Sequence, residues 1–255
     1  MAAPPRFFLA ETPGARPPRL EESETLHALR VLRLAPGDAC LGLDGRGRSW
    51  PLKVVAATRR ELGLEVTGPE EHEPEAGGLG APLPFIEVAV AFPRRPRAEE
   101  MLLRLTQLGA ARITPLRARQ SGPQSVPDPE DARWQRLLRE ACKQCRRLWV
   151  PELAAPLSPL ELALARPGEG LALLDPEQGM GLDTWARSLR PAADGLGTRL
   201  RPIALAVGPE GGFDADERAA FFARGATAVR ASPHVLRIET AAEAALAIAA
   251  SAWMR

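Results

Sequence analysis

Tyrosine is absent from this chain of 255 residues, and lysine, cysteine and histidine are scarce. The bias toward alanine, arginine, leucine and proline reflects the genome and excludes no function by itself. Three cysteines, an odd number in a chain without an export signal, argue against a disulfide framework and favour reduced thiols. Beside His72, the only histidines are His27 and His234, which are too few and too scattered for a metal-binding triad. No metal is therefore expected.

Long hydrophobic runs are also lacking. No stretch approaches the roughly 18 apolar residues that suggest a membrane-spanning helix. The first residues, MAAPPRFFLAETPG, lack a basic segment followed by a long apolar one, so the sequence predicts a cytoplasmic protein without a membrane segment. Apolar residues at 45% and charged residues at 25% are typical of a folded protein, and the length suggests two domains.

Cys142 and Cys145 have the C-x-x-C spacing that occurs in zinc and redox sites. No second pair and no nearby histidine cluster completes a zinc site. The simpler interpretation is that both cysteines are ordinary residues of a helix.

The net charge of +1 conceals two strongly basic segments, at 94–119 and 133–147. Clusters of arginine are suited to neutralising phosphates, whereas a single charge run is usually a solvated helix face. Two such segments in a nearly neutral protein favour a polyanionic partner.

The chain divides by pattern into three parts. Residues 1–70 contain short apolar stretches separated by turns, which predict a small antiparallel barrel or sandwich, with one short helix near 21–34. Residues 71–84 are acidic and rich in glycine and proline, as in a linker. Residues 85–255 alternate strands with helices, which predicts a largely parallel sheet flanked by helices. Ligands of such sheets bind beyond the carboxyl ends of the strands.

The most informative segment is 202–225. The apolar run 203–207 predicts a buried strand, and Gly208-Pro209-Glu210-Gly211-Gly212 follows it. Asp214 and Glu217 have the spacing of a helix capping box, and Gly225 is placed to end that helix. Three glycines leave backbone groups open to a ligand, although an ordinary tight turn between strand and helix is the alternative.

This loop does not match the phosphate-binding motifs. It lacks the lysine and hydroxyl of a P-loop and the spacing of a dinucleotide fingerprint. Glu210 would repel a diphosphate but is compatible with a sulfonium cation. The loop therefore favours a cationic ligand of the adenosine type.

The sequence resembles one family along nearly its whole length. The residues that carry the resemblance are GPEGGF at 208–213, LRIETA at 236–241, RFF at 6–8, HALRVLRL at 27–34 and LTQLG at 105–109. By these segments the chain is similar to the RsmE family of 16S ribosomal RNA uridine-N3 methyltransferases, which belong to the knotted SPOUT superfamily. The resemblance implies an α/β fold with a parallel sheet tied in a trefoil knot, and a PUA-like N-terminal β-barrel that holds RNA.

The resemblance also implies the cofactor, the partners and the site. S-adenosylmethionine would bind in three loops, 173–177, 208–212 and 231–237, and the chain would form a homodimer through its knotted domain and act on 16S rRNA in the small ribosomal subunit. The residues implied in cofactor binding are Leu174, Gly208, Pro209, Glu210, Gly211, Gly212 and Leu236. Those implied in RNA binding are Arg6, Arg30, Arg33, Arg94, Arg95 and Arg97.

Arg237 is the predicted catalytic residue, because a guanidinium can donate two parallel hydrogen bonds to the carbonyls of a uracil anion. The alternative is a surface arginine that pairs with Glu239. Glu210 and Glu239 remain two candidates for the general base. Two other functions also remain open at this point: methylation of another RNA, and a non-catalytic role in RNA binding or ribosome assembly.

Overall fold

The computed structural model describes residues 3–14, 16–122, 127–166, 168–190 and 199–254. Its contacts divide the chain into two compact units, of which the first is Met1–Glu73 with Cys142–Val150 and the second is Pro74–Ala141 with Pro151–Arg255. No helix in the described part of the chain has the length and apolar character to cross a membrane.

The first unit is built on a barrel-like sheet with the strand order β2-β1-β3-β4-β5, and β6 pairs with β4. The two ends of this order, β2 and β5, lie in contact with each other, which nearly closes the sheet. The elements are β1 (Arg6–Glu11), β2 (Arg19–Leu20), α1 (Glu22–Arg30), β3 (Ala39–Leu43), β4 (Arg48–Ala57), β5 (Leu62–Val66) and β6 (Glu71–His72).

The core of this sheet follows from the alternation of apolar residues along its strands. Phe7 and Leu9 on β1 pack with Cys40 on β3 and with Trp50 and Leu52 on β4. The predicted antiparallel arrangement is wrong at one pair, because β1 and β3 run parallel. The connection between them contains β2 and α1, and a crossover of this length permits parallel pairing.

Residues 142–150 belong to the first unit although they lie far from it in sequence. The backbone N–H of Leu148 donates to Glu73 Oε2 at 2.6 Å, and the indole N–H of Trp149 donates to the carbonyl of Glu73 at 2.8 Å. Cys142 packs in the same cluster as Phe8. The sequence pattern, which divides the chain at 1–70, 71–84 and 85–255, contains no sign of this return, and 71–72 form a strand of the sheet rather than part of a linker.

The second unit is an α/β structure in which every strand pair of the sheet is parallel, in the order β11-β13-β10-β12-β7-β8-β9. Its strands are β7 (Ile86–Val90), β8 (Arg112–Pro115), β9 (Glu152–Leu153), β10 (Leu171–Leu174), β11 (Met180–Gly181), β12 (Ile203–Val207) and β13 (Thr227–Arg230). Its helices are α2 (Arg97–Gln107), α3 (Ala132–Cys145, whose last residues belong to the first unit), α4 (Pro159–Ala165), α5 (Leu182–Ser188), α6 (Ala215–Ala223) and α7 (Ile238–Ser251).

The middle of this sheet is mostly apolar, because helices cover both of its faces, and the one charged residue of β7, the buried Glu87, pairs with Arg166. All residues of β12 are buried, and the chain leaves it directly into the glycine-rich loop and α6. The predicted capping box is confirmed, since Asp214 accepts the N–H of Glu217 at 2.8 Å and Glu217 accepts the N–H of Asp214 at 3.0 Å. Gly225, with φ of 79°, ends α6 as predicted.

Candidate functional site

A cavity of about 410 Å³ opens at the carboxyl ends of β10, β12 and β13. Three loops, each of which follows one of these strands, form its wall together with the first turns of α7. Parallel strands bring their carboxyl ends to one edge of the sheet, so loops that are far apart in sequence meet there.

The first loop begins at Asp175, directly after β10. Asp175 Oδ1 accepts the backbone N–H groups of Glu177 at 2.9 Å and of Gln178 at 3.0 Å, which closes a tight turn. Its Oδ2 lies 2.6 Å from Nη2 of Arg218, on α6. Burial by itself would raise the pKa of this carboxyl, but the two backbone donors and the guanidinium outweigh burial and lower its pKa.

The second loop is the segment 208–212. Gly212 has φ of 75° and donates its N–H to the carbonyl of Pro209 at 2.8 Å. A Cβ on Gly211 would stand 2.1 Å from the side-chain oxygen of Gln120, so the exposed side chain of Gln120 would have to move to admit a larger residue. At Gly208 a Cβ would meet the ring of Phe213 at 3.2 Å.

The third loop, 231–236, joins β13 to α7. Ser232 Oγ accepts the N–H of His234 at 3.0 Å, which shapes the turn. Val235 is 82% exposed at the rim, whereas Leu236 is half-buried in the wall. His234 is exposed and lines the cavity.

The structure brings all predicted cofactor residues together in the wall of this one cavity. They are Leu174, Gly208, Pro209, Glu210, Gly211, Gly212 and Leu236. The wall combines apolar side chains, open backbone and the carboxylates of Asp175, Glu177 and Glu210. These features fit an adenosine with a sulfonium cation, because the apolar side chains suit a flat base and the carboxylates complement positive charge.

Sequence reasoning placed Asp175 in a cofactor loop without giving it a role, and it did not single out Arg218 or Gln120. Gln120 packs against Gly211, and Arg218 pairs with Asp175 in the wall. The position of Asp175 directly after a buried strand was a usable signal, since such positions lie at the ligand edge of a parallel sheet. Nothing in the local pattern distinguishes Arg218 from an ordinary helix residue.

Arg237, the predicted catalytic residue, precedes α7 at the N-cap position and is exposed. Its neighbours Leu236 and Ile238 line the cavity. The alternative pairing with Glu239 is not observed, because Glu239 Oε1 lies 3.4 Å from Nη1 of Arg97. Within the described ranges Arg237 forms no ion pair, and Glu239 Oε2 is buried without a hydrogen-bond partner.

The predicted RNA-binding arginines lie in two places. In the first unit, Arg30 and Arg33 are exposed and line a shallow concavity with Arg59. Arg6 is half-buried and donates to the carbonyl of Arg146 at 3.3 Å, and burial, followed by the charge of Arg146, lowers its pKa.

In the second unit, Arg94, Arg95 and Arg97 follow β7. Arg94 and Arg95 are exposed, and the guanidinium of Arg95 lies 5.3 Å from the ring centre of Trp134. Arg97 begins α2 and is engaged with Glu239. The part of the chain that the structure describes contains no group of three metal-binding side chains.

The sequence is similar to those of known RNA methyltransferases. A family model described as an RNA methyltransferase domain matches residues 81–250. Ribosomal RNA small subunit methyltransferase E of Synechocystis is 34% identical over 87% of this chain and 69% of its own length. The protein of that name from Mycobacterium bovis is 30% identical over 89% of this chain and 83% of its own length.

Solved structures share the whole fold. A methyltransferase from Legionella pneumophila, in complex with S-adenosylmethionine, superposes with a TM-score of 0.78 at 23% identity and covers 98% of both chains. Methyltransferase E from Neisseria gonorrhoeae, also bound to S-adenosylmethionine, gives 0.76 at 24% identity and covers 96% of both chains. The likeness confirms the expected fold, an α/β domain with a parallel sheet together with an N-terminal barrel. By its family match and its relatives, the chain belongs to the RNA methyltransferase family that includes ribosomal RNA small subunit methyltransferase E.

Proposed function

We propose that this protein transfers the methyl group of S-adenosylmethionine to N3 of a uridine in 16S rRNA of the small ribosomal subunit. The observation that carries the proposal is that the three loops implied by the resemblance meet in one cavity with Arg237 at its edge. The relatives' names support ribosomal RNA of the small subunit as the substrate.

The cavity residues hold and orient the cofactor. When bound, S-adenosylmethionine supplies an electrophilic methyl group on a positively charged sulfur. Leu174 and Leu236 flank the adenine, while the backbone of 208–212 hydrogen-bonds to the adenosine. Glu210 contributes negative charge to the wall, which favours a ligand with a sulfonium over its neutral thioether product.

Arg237 stabilises the nucleophile. Uridine N3 must lose its proton before it attacks, and the resulting negative charge spreads over the two neighbouring carbonyl oxygens. An exposed guanidinium without an ion-pair partner in the described structure can donate to such an anion. Its position at the N-terminus of α7 adds the positive end of the helix dipole.

Of the two candidate bases, Glu210 is the better placed. Glu210 is exposed and lines the cavity, so its carboxylate is available to a base that enters from outside. Glu239 is engaged by Arg97 and does not line the cavity. We therefore assign Glu210 as the base that accepts the proton from uridine N3.

Other parts of the chain bind the RNA. In this proposal the PUA-like domain, assigned by sequence to 1–70, binds rRNA through Arg6, Arg30 and Arg33, and the arginines at 94–97 contact phosphates beside the cavity. The protein acts in the cytoplasm as a homodimer formed through the domain at 85–255.

The test is methyl transfer to small ribosomal subunits purified from cells that lack the enzyme. We expect one methyl group per subunit, and a nucleoside digest should contain 3-methyluridine identified by mass and by retention against a standard. A methyl group on another base, or on transfer RNA, would refute the target. Absence of transfer with bound cofactor would instead favour a non-catalytic RNA-binding role.

A further inference from the structure

Arg218 contributes a positive charge to a cavity wall whose other charged side chains are acidic. It lies on the first turn of α6, its side chain is 32% exposed, and it lines the cavity together with Asp175. Its guanidinium carbon lies 5.6 Å from the ring centre of Phe222, four residues along the same helix. The aromatic ring on one side and the buried carboxylate on the other restrict where the guanidinium can point.

The pairing with Asp175 leaves the donors of Arg218 available. Nη2 and Oδ2 are 2.6 Å apart, but the N–H bonds are not directed at the oxygen, and Oδ2 has no hydrogen-bond partner within the described ranges. The contact is thus a close ion pair rather than an aligned hydrogen bond. A guanidinium has five N–H donors in a rigid fork, so the donors of Arg218 that do not face Asp175 can bind a ligand in the cavity.

The cavity wall contains more acidic side chains than basic ones. Asp175, Glu177 and Glu210 are acidic, and Arg218 is the one arginine or lysine among the lining residues that the structure describes. The proposed cofactor carries two cations, the sulfonium and the α-ammonium, and one anion, the α-carboxylate. The cations have three possible carboxylate partners, but the anion has only Arg218. An enclosed carboxylate without such a partner would be costly, above all beside three like charges.

We propose that Arg218 binds the α-carboxylate at the amino-acid end of the cofactor, and that Asp175 positions its guanidinium to do so. This inference rests on the proposed function and extends it, because it names the residue that distinguishes an amino-acid-bearing nucleoside from a plain one. Planar carboxylate and planar guanidinium match as a two-point contact, which lysine cannot reproduce.

The experiment removes the carboxylate from the ligand and the guanidinium from the protein in turn. Calorimetry measures the affinity of the full chain for S-adenosylhomocysteine and for its decarboxylated analogue, which retains the amine. We expect the wild type to prefer S-adenosylhomocysteine by about ten- to a hundredfold, as for a hydrogen bond to a charged group. In Arg218→Met the preference should fall to about one or reverse, because only acidic residues then face the carboxylate.

Arg224→Met is the matched control, since Arg224 ends the same helix, is exposed and does not line the cavity. It should keep the wild-type preference, and Arg218→Lys should keep part of it. If Arg218→Met proves unstable, the affinities for the two ligands can be compared in Arg218→Gln, whose side chain is polar but uncharged. A variant that binds both ligands more weakly by the same factor would overturn the proposal and leave Arg218 as a structural partner of Asp175.

The two proposals fail in different ways. A wild type that shows the preference but methylates another base would refute uridine N3 as the target and leave Arg218 in its role. A wild type that binds neither ligand would overturn both.

Discussion

Gly212 and Gly225 flank the same helix, α6, and together allow backbone strain to be separated from ligand contact. Both have left-handed φ angles, 75° and 79°, which an L-residue adopts at a cost of roughly 1–2 kcal/mol. No atom lies within 4 Å of a Cβ built on Gly212, and the nearest atom to one on Gly225 is 3.7 Å away. Alanine at either position should therefore lower the free energy of unfolding by a similar amount, through strain and not through collision.

The two variants should differ in cofactor affinity, because only Gly212 lines the cavity. A methyl group there adds to the loop face that meets the ligand and holds the adenosine away from the backbone. We expect Gly212→Ala to weaken binding of S-adenosylhomocysteine at least tenfold, equivalent to about 1.4 kcal/mol. Gly212→Val should abolish binding, and Gly225→Ala should leave it unchanged.

Denaturant unfolding of each variant without ligand measures the strain, and calorimetry at the same temperature measures the affinity. Equal stability losses with a selective affinity loss in Gly212→Ala would support the reasoning. If Gly212→Ala binds as tightly as Gly225→Ala, the loop 208–212 does not face the cofactor. If both lose affinity equally, the effect is one of stability and the assignment of the loop is again refuted.

Three other measurements test the remaining assignments. Arg237→Ala should lower the single-turnover rate of methyl transfer by about a hundredfold, the usual cost of one preorganised donor, and leave the affinity for S-adenosylhomocysteine unchanged. Arg237→Lys should recover only part of the lost rate, and a near-normal rate in Arg237→Ala would refute the role. Replacing Arg30 and Arg33 by glutamine should make the slope of log affinity for rRNA against log salt less negative by about 0.7–0.9 for each lost phosphate contact, without unfolding the protein. An unchanged slope would exclude both from the RNA surface. Burial raises the pKa of Cys40 from 9.0 to about 11. Alkylation of the native protein at pH 8 should therefore modify the half-buried Cys145 and spare Cys40, and rapid labelling of Cys40 would contradict its burial.

Local signals in the sequence were sufficient for the elements that position the cofactor loop. The buried strand at 203–207, the capping box of Asp214 and Glu217 and the stop at Gly225 all appear in the structure where the pattern predicts them. Each depends on groups only a few residues apart, so a short stretch of sequence contains both partners of the interaction. The three predicted cofactor loops also meet as the family resemblance implies.

The remaining features depend on partners that are distant in sequence. No local pattern shows that 142–150 return to the first unit, that β1 runs parallel to β3, or that Glu239 pairs with Arg97 instead of Arg237. The sequence by itself thus determined the strand at 203–207, the helix that follows it and the α/β class of the second unit, and the family resemblance supplied the three loops. Only the tertiary structure placed Arg218 against Asp175 in the wall of the cavity and Gln120 beside Gly211, because the sheet order decides which distant segments meet at its carboxyl edge.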